Sequence, residues 1–487
     1  MAKNKFYITT PIYYVNAAPH LGSAYTTIAA DVLARYYRIK FGAENVFMMT
    51  GTDEHGAKIQ EIAEAAHKTP KVFTDEVVKE FKKTWDNLDI DYDSFIRTTD
   101  KHHEEAVAWV TQKLYDQGDI YKGSYEALYC VGCEQYKTKS ELVDGKICPD
   151  HNRECEIHEE EAYLFALSKY QHRLDELISA DEILIRPETR KNEVLSFIRG
   201  GLQDIAISRK KENVSWGIDL PFDKTQTTYV WIDAFLNYLT GLGWPEDKTK
   251  SDQFWPADVQ LMAKDIIRVH ATIWQAMLLA LQLPTSKQLF VHGYFTVNGK
   301  KMSKSLGNVL EPNVLIEKFG ADAVRYAVLR EFPFGEDGDI SEEKIANRYN
   351  YELANGVGNL LQRTIVLINK FEIPVKSEKL VLESADEKQH FDQINEKIEN
   401  LDFSNALFDI WSLYIKPANE LMETEKPWEL AKFDLPKAAE TLVYCLKNLN
   451  TIADLLTPFM PDTAEKMKYQ LKTLKPEPLF PRIDIKN

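Results

Sequence analysis

The first hundred residues switch repeatedly between two hydrophobic periods. KFYITTPIYYV (5–15) is dense in β-branched and aromatic residues and reads as a strand. LGSAYTTIAADVLARYYRIKFG (21–42) sets Ala29, Val32, Leu33, Tyr36 and Tyr37 at helical spacing, with Gly42 as the stop. NVFMMTGTDEHG (45–56) returns to strand and turn, and helix resumes near residue 57. Strand, helix, strand predicts a parallel sheet with right-handed crossovers and a site at the C-terminal strand ends.

From residue 117 to 228 the alternation breaks into short β-like pieces, which reads as an insertion. The α/β pattern resumes with TYVWIDAF (228–235) and VQLMAKDI (259–266). A helix then runs to about Leu283, before Pro284, and QLFVHGYFTV (288–297) reads as a further strand. Beyond about 340 nearly every segment is amphipathic helix, which predicts a bundle. The expected layout is a Rossmann-like catalytic domain in two halves, 1–116 and 229–290, split by the insertion 117–228. A linking segment 291–340 and an all-α bundle 341–487 follow.

Composition narrows the class. A chain of 487 residues, 44% hydrophobic and 28% charged, has the material for several packed cores and is not a disordered polymer. The start MAKNKFYITT has no apolar core of a signal peptide, and no stretch approaches about 18 apolar residues. A cytoplasmic protein without a membrane partner is expected. The net charge of -16 argues against nucleic-acid binding through bulk charge. Acidic residues outnumber basic ones from 351 onward as well, so an RNA-binding bundle must use selected side chains.

Against that acidic background, VNGKKMSKSLGN (297–308) places three lysines among glycines and serines with no apolar period. A cationic, hydroxyl-bearing loop after a strand suits a polyphosphate. AAPHLGSAYTT (17–27) puts His20 and Gly22 where the first strand's loop opens the first helix. The glycine lets a nucleotide approach the backbone, and the helix N-terminus favours an anion. Four of the five cysteines crowd between 130 and 155, which points to metal rather than disulfides. Cys130-x₂-Cys133 and Cys148-x₂-His151, 14 residues apart, match a zinc knuckle. Cys155 is the rival for the fourth ligand; His151 is preferred because it completes the second tight pair.

The pairing of PHLGS with KMSKS (301–305) resembles the double signature of class I aminoacyl-tRNA synthetases. Ser23 stands where that family usually has a second histidine. The resemblance sharpens to the methionine-specific branch through TTPIYYVN (9–16), TGTDEHG (50–56), YVWIDAFLNY (229–238), AKDIIRVHATIW (263–274) and HGYFTVNGKKMSKS (292–305). Ala263 and Phe235 replace a glycine and a proline common there. The resemblance implies a ligase that activates methionine with ATP and Mg²⁺ and transfers it to tRNA(Met). His20, Lys301 and Lys304 would be catalytic, with Gly22, Ser23 and Asp265 also on ATP. Ile12, Tyr14, Asp53, Trp231, Tyr238, Ile266 and His270 would bind methionine, Asp53 pairing with its α-amino group. Tyr14 or His270 can donate a weak hydrogen bond to the thioether, and aromatic faces suit sulfur.

The same resemblance implies one structural zinc on Cys130, Cys133, Cys148 and His151. It further implies anticodon reading by Asn359, Arg363 and Trp428, through stacking and base-edge bonds on single-stranded RNA. No further β-rich module follows the bundle, so a monomer is expected. Another class I synthetase or a non-catalytic tRNA-binding relative are the alternatives. The short insertion argues against the first, and intact His20, Lys301, Lys304 and Asp53 argue against the second.

Overall fold

A computed structural model describes residues 4–133, 135–137, 142–297, 299–302, 309–374 and 385–483. Its centre is a seven-stranded sheet in the order Leu184–Arg186, Gln288–His292, Val259–Ala263, Phe6–Thr9, Val46–Asp53, Tyr13–Tyr14, with Ser94–Arg97 on the far edge of Val46–Asp53. Every pairing in it is parallel. Phe6–Thr9 and Tyr13–Tyr14 run along the same edge of Val46–Asp53 as one interrupted strand, because Thr10 and Val15 donate to the carbonyls of Met49 and Asp53. Pro11, which has no N–H to give, sits at the interruption.

The strands are apolar on both faces, as a covered parallel sheet requires. Phe6, Ile8, Val46, Met48, Val259 and Leu261 face one core; Tyr7, Phe47, Met49, Met262 and Val291 face the other. The first core does not stop at the sheet. It runs through the helices Pro312–Phe319 and Ala321–Arg330 into the C-terminal bundle, ending at Phe459, Met467 and Leu471. Catalytic sheet and helical bundle therefore share one apolar interior.

Two segments differ from the reading of the sequence. QLFVHGYFTV is two strands, Gln288–His292 in the main sheet and Phe295–Val297 in a small sheet with Lys300–Lys301 and Gly338–Asp339. The break falls at Gly293, where a Cβ would lie 2.0 Å from the carbonyl oxygen of Glu336. The stretch 117–228 is not one inserted unit either. Its long hairpin, Ile120–Cys130 paired with Glu156–Phe165, projects away with the cysteines near its tip, but Leu184–Arg186 returns to pair with Gln288–His292. Ile185, wholly buried, is drawn into the second core. Among the described residues no helix is long and apolar enough to cross a membrane.

The tie between sheet and bundle is Arg325, whose side chain is completely buried. Its Nη2 donates to Asp31 Oδ2 at 2.6 Å and to Pro458 O at 3.1 Å, Nε to Phe459 O at 2.8 Å, and Nη1 to Leu88 O at 3.1 Å. Asp31 lies in the helix Leu21–Phe41 and is equally buried. Removing one member of such a pair costs about 3–5 kcal/mol, whereas replacing both by apolar groups costs far less. We expect Arg325→Ala to lower the unfolding free energy obtained from urea titration by that amount and Asp31→Leu/Arg325→Met to lower it less. Equal losses in the two variants would contradict this account.

Candidate active site

The strand ends converge on one cleft. Tyr14 and Asp53 are register partners at the end of the sheet, and Ile12 lies at the interruption beside them. The turn after Asp53 is held rigidly from below. Glu54, with no exposed surface, accepts from Arg97 Nε and Nη2, each at 2.7 Å, from Thr52 Oγ1 at 2.6 Å and from Thr99 Oγ1 at 2.7 Å. Four donors on one carboxylate fix its position and, through Arg97, tie the turn to the neighbouring strand.

His20 is the N-cap of the first helix. Its Nδ1 accepts from the amides of Gly22 at 3.0 Å and Ser23 at 3.3 Å, and its own amide donates to Ser23 Oγ at 3.1 Å, closing a capping box; Ser23 Oγ in turn donates to the His20 carbonyl at 2.8 Å. The lone pair on Nδ1 puts the ring proton on Nε2, which is then a hydrogen-bond donor. Gly22 has a steric reason to be glycine, since a Cβ there would meet His20 Cε1 at 2.9 Å. Leu21 N–H donates to Leu310 O at 3.3 Å, tying the helix start to the far end of the lysine loop. Lys301 closes the short strand Lys300–Lys301; Ser303, Lys304 and Ser305 lie outside the described residues.

Asp265 is exposed just beyond the strand Val259–Ala263. Next to it, Ile266 O accepts from His270 Nδ1 at 2.8 Å, and His270 Nε2 meets Tyr238 Oη at 2.8 Å. Burial lowers the His270 pKa to about 4, with the Ile266 carbonyl only partly opposing it. The ring is therefore neutral with its proton on Nδ1, and Tyr238 donates to Nε2. With both nitrogens engaged, His270 has no proton left for a thioether, so the donor role expected of it falls away in this arrangement. Phe235 packs against His270 at 5.0 Å and against Trp231 at 5.7 Å, and Trp274 backs Tyr238 at 5.6 Å. Trp231 Nε1 is buried without a hydrogen-bond partner.

At the hairpin tip, ligand atoms of Cys130, Cys133, Cys148 and His151 all lie within 4.8 Å of one another. Cys133 Sγ is 3.3 Å from Cys148 Sγ and 3.2 Å from His151 Nδ1, spacings suited to a tetrahedral thiolate–imidazole site. Gly132 permits the imidazole's approach, since a Cβ would lie 2.6 Å from the ring. Cys155 is buried beside this cluster.

In the bundle, Asn359 and Arg363 share the helix Asn359–Lys370. The Arg363 guanidinium lies 4.9 Å over the Trp428 ring, and Nη1 donates to Glu423 Oε1 at 2.5 Å. Asn359 opens into a cavity of about 170 Å³ lined also by Gln362, Phe480 and Arg482.

Comparison with known proteins decides what this architecture is. A family described as "tRNA synthetases class I (M)" matches residues 6–156 and 147–365, and "Anticodon binding domain of methionyl tRNA ligase" matches 374–485. A methionine–tRNA ligase of Clostridium acetobutylicum is 46% identical over 99% of this chain and 79% of its own length. One from Caldanaerobacter subterraneus is 45% identical over 99% and 80%. The chain belongs to the class I methionyl-tRNA synthetases. The structure of the Mycobacterium tuberculosis methionyl-tRNA synthetase in complex with methionyl-adenylate superposes with a TM-score of 0.89 at 37% identity, over 95% of this chain and 93% of that one. Its apo form gives 0.83 at 33% identity, over 99% of each.

Several residues that support the synthetase's cleft or its bundle sites were not read from the sequence. Arg97 had no local signal, because its partner Glu54 is 43 positions away. Arg482 and Phe480 lie in a C-terminal stretch without periodicity, and only the fold brings them beside Asn359. Glu423 sits five residues before Trp428 and resembles any exposed helix acid.

The neutral His270 makes a pH prediction. The unfolded chain takes up this proton near pH 6.5, but the folded ring only near 4. Stability is thus fully present above about pH 6.5 and is lost as the pH falls toward 4; buried His292, also lowered by burial, adds in the same direction. Urea midpoints measured across this range should fall more gently for His270→Gln than for the parent. Parallel curves would show that the ring titrates as it does in water.

Proposed function

We propose that the cleft at the strand ends joins methionine to ATP, with the residues divided between the two substrates as follows. The methionine carboxylate attacks the α-phosphorus of ATP, forming the adenylate and expelling pyrophosphate; the 3′ end of tRNA(Met) then takes up the methionyl group. No protein nucleophile is required, so catalysis is positioning plus stabilisation of phosphate charge. Asp53 accepts from the α-amino group. Ile12, Tyr14, Trp231, Tyr238, Ile266 and His270 enclose the side chain. His20 donates Nε2–H to a phosphate oxygen at the helix N-terminus, where Gly22 keeps the backbone open. The Ser23 hydroxyl, committed to the His20 carbonyl, serves ATP by holding that cap, and Asp265 holds the adenosine.

Lys301 and Lys304 carry positive charge to the departing pyrophosphate, and Mg²⁺ accompanies the ATP. Zinc on Cys130, Cys133, Cys148 and His151 would fix the hairpin tip, supplying structure to a piece too small to bury a core. Asn359, Arg363 and Trp428 read the anticodon.

The observation that carries this reading is that Ile12, beside the Tyr14–Asp53 pair, packs on the same apolar cluster as Trp231, Ile266 and Tyr238, the last hydrogen-bonded to His270. Methionine-dependent ATP–pyrophosphate exchange should proceed with the parent protein and with none of the other standard amino acids. Lys304→Ala should reduce the exchange rate by about a hundredfold or more with methionine KM little changed, as expected for loss of transition-state charge stabilisation. An unchanged rate would remove Lys304 from the mechanism. Trp428→Ala should leave exchange intact and weaken tRNA charging by about tenfold or more, the scale of a lost stacking contact. Loss of both activities together would assign the residue a purely structural part.

A further inference from the structure

The segments 50–56 and 229–238 each hold residues with a part in substrate binding, yet His55 and Asp233 have none. Both are buried, at 3% and 1% exposure. Asp233 Oδ2 accepts from His55 Nδ1 at 2.7 Å, and Oδ1 accepts from His103 Nε2 at 2.8 Å. His103 Nδ1 continues to Thr240 Oγ1 at 2.7 Å. His55 lies two residues beyond Asp53, and Asp233 two residues beyond Trp231 in the helix Val230–Phe235. His103 belongs to a third element, the helix Lys101–Asp116. One carboxylate thus pins together three elements that meet nowhere in sequence.

The charge state follows from the surroundings. Burial works against ionising Asp233, but the His55 charge and the imidazole hydrogen bonds overcome it and hold its pKa below the ordinary range. Burial likewise opposes a charge on His55, and the Asp233 carboxylate overrides it. Glu104 also faces His55, 3.8 Å from Nε2. An ionic cluster in a dry interior is a poor way to gain stability, since apolar residues of equal volume often do as well. What two directed hydrogen bonds add is a fixed rotation and height for the helix that bears them.

We propose that Asp233, through His55 and His103, is a positioning residue for methionine: it sets the separation between the Asp53 carboxylate and the Trp231 ring. These two groups hold opposite ends of one small substrate, so an error in their spacing is an error in methionine affinity and not in ATP affinity. The inference rests on the pocket assignment made under the proposed function.

The test is pyrophosphate exchange on the full chain for Asp233→Asn, His103→Ala, His103→Gln and Trp231→Ala, with KM measured separately for methionine and ATP. Thermal unfolding is followed on the same preparations. Asp233→Asn and His103→Ala should each raise methionine KM by about tenfold, well within what a small misplacement costs, and leave ATP KM within about twofold. His103→Gln should recover most of the loss, because its amide Nε2–H reaches where the imidazole Nε2–H lies. If Asp233→Asn does not fold, the two His103 variants decide the matter.

Unchanged methionine KM in the Asp233 and His103 variants, with KM raised in Trp231→Ala, would overturn the positioning role and leave the pocket in place. Equal rises in both KM values, or a glutamine no better than the alanine, would also overturn it by showing plain loss of structure. An unchanged methionine KM in Trp231→Ala would remove the pocket assignment itself and this inference with it.

Discussion

A guanidinium cannot be neutralised by burial, so Arg325 has to be surrounded by acceptors wherever the chain puts it. The acceptors come from the first helix, the turn at Leu88 and the loop at Pro458 and Phe459, which belong to parts of the chain hundreds of residues apart. Asp31, its one ionic partner, also accepts from Arg35 and from the Asp91 amide, so the network continues along the first helix. That helix begins at His20. The bundle is therefore braced against the element capped by His20, and the shared apolar core gives the brace its bulk.

On the pocket assignment proposed above, methionine is selected by an enclosure whose Tyr238 and His270 polar atoms are already spent. Tyr238 and His270 close a hydrogen bond on each other, and His270 spends its remaining nitrogen on Ile266. A polar side chain entering this enclosure loses its water and finds these groups already occupied, whereas a thioether loses little and gains ring contacts.

What could be read from the sequence follows the range of the interactions. The strand–helix alternation was legible because parallel strands covered on both faces are apolar throughout, as in Phe6-Tyr7-Ile8, and this is a local property. The Cys130–His151 spacing and the His20-Leu21-Gly22 helix start were legible for the same reason. The break at Gly293 was not, since it is forced by the backbone of Glu336, 43 residues on. Nor was the return of Leu184–Arg186 to the sheet, whose partner Gln288–His292 follows about a hundred residues later. Asp233 shows the limit most clearly. Its partners lie 178 and 130 positions away, and no period or motif in 229–238 marks its single acid as the centre of a buried network.

The strand order also constrains how the chain can be made. Phe6–Thr9 lies between Val46–Asp53 and Val259–Ala263, so one of its edges is satisfied early in synthesis and the other only after some 250 further residues. Until then the ribosome-bound product carries a short, apolar strand with an open row of amides and carbonyls, the feature that invites pairing with foreign chains. The first helix is in the same position, because Asp31, though paired with Arg35, gains its buried partner Arg325 only about 290 residues later. Translation thus passes through a long interval in which the first strand and the first helix lack partners that the finished fold supplies.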